Sequence, residues 1–110
     1  MIDDAEMRAW VRRRESPERA ARILFVWDYA RSRVPDAPLP IVSLNAGDDG
    51  RTPQLCWNTA ARVVDVDVHD DGTLGWFTRD RVADMHDGSE DRVRVLPDAF
   101  FAALATIAGM

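Results

Sequence analysis

Apolar residues recur first at helical spacing along the chain and then, past a proline-rich stretch, at alternate positions. Met7, Trp10 and Val11 stand at i, i+3 and i+4, with Asp3 or Asp4 placed to cap a short first helix. Ser16-Pro17-Glu18 reads as a second start: Ser16 as N-cap, Pro17 in the first helical position, Glu18 at the positive end of the helix dipole. From there to about Arg33, Ala20, Ile23, Leu24, Trp27 and Ala30 form one face, and Ala21 and Phe25 are expected to widen it. Arg19, Arg22, Asp28, Arg31 and Arg33 fall on the opposite face, and Val34-Pro35 predicts the stop.

The segment PDAPLP, residues 35–40, is too short to separate two moving domains and reads as an extended connector. After it the period changes to two. Strands are expected over Ile41–Leu44 and Gln54–Trp57, with turns at Gly47–Gly50 and around Asn58-Thr59. Val63–His69 and Thr73–Thr78 form the clearest hairpin. A weaker strand is expected over Arg81–His86, a turn at Asp87-Gly88, and a last strand over Arg92–Val95. Pro97-Asp98 opens a final helix, apolar almost all round through Phe100, Phe101, Leu104, Ile107 and Ala108, so it must lie against the sheet.

The hairpin fixes its own register. With Asp70-Asp71-Gly72 as a three-residue loop and Gly72 left-handed, His69 pairs with Thr73, Val68 with Leu74, Val66 with Trp76 and Val64 with Thr78. That gathers the valines, Leu74 and Trp76 on one face and puts Asp65, Asp67 and His69 on the other, with Phe77 across from Asp65. A two-residue turn would scramble this sorting.

The predicted fold class is therefore α+β in one domain, 1–110. An N-terminal helical segment (1–34) precedes an antiparallel β-meander of four or five strands (41–95), and a C-terminal helix (97–108) packs on the sheet. The helices should cover one sheet face and leave the other at least partly wet.

Composition narrows the setting. No apolar run approaches the ~18 residues that span a bilayer, and MIDDAEMRAW has no apolar core of a secretory signal. With one cysteine, Cys56, and no internal disulfide to form, a cytoplasmic location and no membrane partner are expected. All fourteen basic residues are arginine, which removes amine-base, Schiff-base and P-loop lysine chemistry. Residues 1–34 carry eight arginines against six acids, whereas residues 35–110 carry six against thirteen. An acidic main body argues against direct nucleic-acid binding, and the run Arg12-Arg13-Arg14 is flanked by acids.

The acid-rich hairpin invites a metal reading, which its spacing does not support. Setting Gly72 at the sixth position of a calcium loop puts His69 third and Thr78 twelfth, where a carboxylate is required. His69 and His86 with Asp65, Asp67 or Cys56 have no metal-binding spacing, and no cofactor is expected. Cys56, in the apolar strand Leu55-Cys56-Trp57, is expected to be a buried, inert thiol. No nucleophile elbow or glycine-rich phosphate loop is present, so no enzymatic activity is expected.

The acids Asp65, Asp67, Asp70 and Asp71, with Asp80, Asp84, Asp87 and Asp91, can line one exposed face. Carboxylates spaced along strands imitate backbone phosphates and suit a basic surface. The competing reading is a solvated face neutralised by Arg79, Arg81, Arg92 and Arg94 across the strands. Trp10, Trp27 and Trp76 lie on apolar stripes and belong to the core, and Trp57, beside a turn, is a candidate exposed anchor.

Trp27-Asp28, Pro38 to Ser43, Leu55 to Trp57 and Val66 to Trp76 together resemble a loose group of small bacterial and phage proteins. In these a tryptophan- and aspartate-bearing helix leads through prolines into a β-meander. The resemblance implies a mobile-element or defence-related setting and no catalytic residues. The expected function is that of a non-enzymatic regulator or inhibitor, anti-CRISPR-like in type. Asp65, Asp67, Asp70 and Asp71 would meet a basic partner protein, with Trp57 or Phe77 as apolar anchor. The alternatives are an antitoxin or immunity-type protein, binding through its helical arginine face or a strand edge, and, less favoured, a metal-dependent enzyme.

Overall fold

A computed structural model of the chain describes residues 3–46, 52–89 and 91–109. Helices α1 (Asp4–Arg14) and α2 (Pro17–Arg33) lead into strands β1 (Ile41–Ala46), β2 (Thr52–Asn58), β3 (Arg62–Val68), β4 (Leu74–Asp80) and β5 (Met85–Gly88), and helix α3 (Asp98–Ala108) follows. The five strands form one antiparallel sheet in sequential order. The turn expected at Gly47–Gly50 lies outside the described residues.

Each helix begins where its cap dictates. Asp3 caps α1, its side chain accepting from the Glu6 backbone N–H, and Ser16 caps α2, accepting from Arg19. Asp4, freed from capping, sews the two helices together. Its Oδ1 accepts the Trp27 indole N–H at 2.7 Å, and its carboxylate pairs with Arg8 at 3.0 Å and Arg31 at 3.3 Å. Those hydrogen bonds and cations hold the Asp4 carboxyl below its ordinary pKa, the Trp27 contact first among them.

Helices α2 and α3 cover one face of the sheet, and α1 packs on α2. Between the layers Leu55, Trp57, Val64, Val66, Val68 and Leu74 meet the apolar stripes of the helices. Phe100, fully buried, is the hub of an aromatic cluster: its ring lies edge-on to Trp57, Trp76 and Phe101 at 6.3, 6.5 and 5.3 Å.

The β3–β4 hairpin has the expected register, from Val68↔Leu74 through Asp65↔Phe77 to Arg62↔Asp80. Gly72 takes the left-handed conformation at φ +85°, and His69 and Thr73 close the loop with a 3.0 Å backbone hydrogen bond.

Four local expectations need correction. Ala21 and Phe25 do not widen the buried stripe of α2; Val26 does, and Phe25 is 68% exposed. A helix lying on a single sheet turns only a narrow stripe inward, and position 25 falls to its side. Trp57 is no exposed anchor: it is 2% exposed, packs on Trp27 and donates its indole N–H to the Pro38 carbonyl at 2.7 Å. Its cross-strand partner Val64 also belongs to the helix-covered face. The strand expected at Arg81–His86 starts only at Met85, after a turn in which Asp84 sits at φ +52°, and Asp87-Gly88 belong to that strand. The segment 92–95 contributes a single bridge, Val93 to Leu74, instead of a strand.

Candidate functional site

The open face of the sheet is built in two cross-strand rows. One runs Cys56, Asp65, Phe77, Gly88 and the next Gln54, Asp67, Gly75. Strand alternation puts these side chains opposite the core, because Leu55, Val64, Val66 and Trp76 occupy the intervening positions. The chain then leaves β5 and runs on along β4, where the Ser89 N–H donates to the Trp76 carbonyl, the Ser89 hydroxyl accepts from the Trp76 N–H, and Val93 and Leu74 exchange backbone bonds. The result is a cavity of about 490 Å³ over Gly75, walled by Gln54, Asp65, Asp67 and His69 on one side and by Ser89 and Arg92 on the other.

Its electrostatics are set by which acids the arginines reach. Two of the arginines expected to neutralise the face do so at its edge, Arg79 pairing with Asp84 at 3.2 Å and Arg92, itself a cavity wall, with Asp71 at 3.6 Å, whereas Arg81 binds the Asn58 side chain and Thr59 carbonyl. Among the described residues neither Asp65 nor Asp67 has an ion-pair partner. Asp67 is oriented by Gln54, whose Nε2 donates to Oδ1 at 2.9 Å. Asp65 Oδ1 is shut off from solvent and accepts no hydrogen bond. Burial therefore pushes the Asp65 carboxyl pKa up, a hydrogen bond from the Cys56 thiol opposes this, and the nearby Asp67 charge adds to it.

Cys56 is half-buried on this open face, where full burial within an apolar strand was expected. Burial first, and then the Asp65 carboxylate, push its thiol up to about 12, so it stays neutral and unreactive. Phe77, 38% exposed, stacks on His86 with ring centroids 6.3 Å apart and 27° between planes.

Of the proposed contact residues, Asp65, Asp67 and Phe77 thus stand together, and three do not join them. Trp57 is core. Asp70 turns toward α2, 3.2 Å from Arg19 and 4.0 Å from Arg22. Asp71 is spent on the Thr73 backbone and hydroxyl, which hold its carboxyl below the ordinary pKa, and on Arg92 at the cavity rim. Sequence reasoning missed Gln54 and Gly75; the glycine inside an alternating strand was the available signal.

A second feature lies on the outer side of α2. Phe25 stands between two grooves, one lined by Val26, Val68 and Leu74 and the other by Ala20 and Leu24, with Arg12, Arg22 and Arg94 around it. Among the described residues no three His, Cys, Asp or Glu side chains gather as a metal site, and no helix is long and apolar enough to cross a membrane. No protein-family model, curated protein or solved structure matches the chain.

Proposed function

We propose that this protein is a non-enzymatic regulator or inhibitor that binds a basic surface of another protein through the open face of its sheet. The observation that carries the reading is the segregation of charge. Among the described residues, arginines pair with the peripheral acids Asp4, Asp28, Asp70, Asp80, Asp84 and Asp98, while the central pair Asp65 and Asp67 has no ion-pair partner. A face that was merely solvated would have no reason to hold one of those carboxylates half-buried, because burial without a partner costs free energy that exposure avoids. The neutral thiol beside it offers no nucleophile, in keeping with a binding role. The resemblance to small mobile-element proteins fits an inhibitor of anti-CRISPR type.

The test is co-purification of the partner from cells that express the protein, with wild type and with an Asp65→Asn, Asp67→Asn double variant. Removing one side of a desolvated charge pair costs roughly 2–5 kcal/mol, so the double variant should lose at least tenfold in affinity. A partner retained equally by both forms refutes the reading.

One observation favours a second reading, an antitoxin or immunity-type protein that binds through α2. Phe25 is a large apolar side chain held in solvent beside arginines. Phe25→Ser separates the two: it should spare partner binding if the sheet face acts and abolish it if α2 does.

A further inference from the structure

We infer that the cavity over Gly75 receives the guanidinium of one arginine side chain on the partner protein. This rests on the sheet-face reading above and names the chemistry of the contact.

Three described glycines of the hairpin and its neighbour strand can be compared. Gly72 needs its left-handed backbone, at φ +85°. Gly88 needs the absence of a Cβ, which would meet the Trp76 carbonyl oxygen at 2.9 Å. Gly75 needs neither. Its φ is not positive, and an added Cβ would find nothing nearer than His69 Nε2 at 3.6 Å and Asp67 at 3.7 Å, which is ordinary contact. Glycine is among the poorest strand residues, and here no turn, bulge or steric conflict asks for one. What the missing side chain does is keep open the floor of the cavity, directly across the ladder from Asp67.

The walls select the occupant. Asp65 lines the cavity with one oxygen, Oδ1, closed off from solvent and without a donor, and Asp67 keeps Oδ2 free of Gln54, near the position a Gly75 Cβ would take. The terminal torsion of Asp65 is soft, so a donor entering the cavity can draw a carboxylate oxygen toward it. Two carboxylates in adjacent rows match the planar fork of a guanidinium better than the single point of an ammonium. Phe77, partly exposed in the same row as Asp65, supplies an aromatic surface on which a flat cation can lie. The volume, about 490 Å³, falls in the usual range for ligand sites. A neutral apolar guest would leave both carboxylates unpaired, and an anion would be repelled by them, the one arginine in the described walls, Arg92, being held at the rim by Asp71.

The experiment uses the full chain, labelled with ¹⁵N, and three blocked tripeptides, Gly-Arg-Gly, Gly-Lys-Gly and Gly-citrulline-Gly. Saturable shifts of the Asp65, Gly75 and Phe77 amides with the arginine peptide, weaker with lysine and absent with the uncharged citrulline, are expected. Gly75→Val, whose branches project into the cavity beside Asp67, should abolish them, and Gly75→Ala, whose Cβ finds only ordinary contacts, should weaken them while melting no lower than wild type. Three results overturn the inference: shifts that stay linear throughout, equal shifts with citrulline, or undiminished arginine binding by a folded Gly75→Val. The partner separates this inference from the reading beneath it. If the double Asp→Asn variant loses the partner and Gly75→Val keeps it, the acidic face stands and the arginine socket falls. If the double variant keeps the partner while losing the arginine peptide, the sheet-face reading falls and the guanidinium site stands.

Discussion

Asp65→Asn should make the protein more stable while making it bind less well. In the wild type the Asp65 carboxylate carries a buried acceptor without a donor and lies beside a second unpaired acid. An unsatisfied buried polar group costs about 1–3 kcal/mol, and the lower end applies because the side chain is only half-buried. The amide leaves a polar atom in the same place but removes the desolvated charge and its repulsion from Asp67, so a gain of about 1 kcal/mol is expected, or about 4 °C in melting temperature for a chain of this size. The pH dependence tests the cause. Folding raises the pKa of this carboxyl, so the folded state holds its proton more tightly than the unfolded state does. The stability linked to that proton is fully present below the unfolded value, about 3.9, and is lost as pH rises through the raised folded value. At neutral pH the wild type therefore bears the whole charge penalty, and the asparagine variant, having no proton to lose, bears none of that part. Thermal melts of both proteins from neutral pH down to about pH 4 should show the gap narrowing toward acid. A variant that melts no higher than wild type at neutral pH, or a gap that does not narrow, would refute the electrostatic account of this face.

Three further outcomes follow from the packing and the other titrations. Asp4→Ala strands the buried Trp27 indole N–H and removes the pairs to Arg8 and Arg31, so it should lower stability by about 2 kcal/mol. An unchanged urea midpoint would show that the α1–α2 tie is ornamental. Because folding lowers the Asp4 pKa, this contribution is present above the unfolded value and disappears as pH falls through the folded one, which acid titration of the wild type and variant should register. Phe100→Ala opens the aromatic cluster and should cost about 3–5 kcal/mol, read as a large fall in melting temperature and loss of the near-ultraviolet dichroism of Trp57 and Trp76. Cys56, with its thiol pushed up to about 12, should resist iodoacetamide at mildly alkaline pH in the native protein and react once denatured; rapid native alkylation would contradict its buried, carboxylate-flanked setting.

What the sequence made legible was local, and what it hid was tertiary. Ser16-Pro17 and Val34-Pro35 mark the ends of α2 because capping and proline sterics act within a few residues. Gly72 and the valine alternation define the hairpin register because a one-residue slip would put every valine in water. The same alternation placed Asp65 and Asp67 on the open face. Their pairing was not legible. Asp70 and Asp71 neighbour them in sequence, yet one answers to Arg19 and Arg22 on a helix and the other to its own turn and Arg92. Trp57 was misplaced for a similar reason: nearness to a turn suggested exposure, whereas its face is set by pairing with Val64. Phe25 was misplaced because helical periodicity gives the direction of a stripe, while its width depends on how much surface lies opposite.

Elsewhere in the described chain, local preference and global fold agree: α1 and α2 have capping side chains, the strands alternate, and the large core residues interlock. The departures collect in one place. Gly75 weakens a strand that had no need of it, Asp65 buries an acceptor without a donor, and two carboxylates share adjacent rows with no ion-pair partner among the described residues. Each is unfavourable alone, and in each case an ordinary substitution would relieve it without disturbing the backbone. These costs, two of which share Asp65, fall in one cavity. On the proposal above, folding stability is given up there so that a cation supplied from outside completes the site.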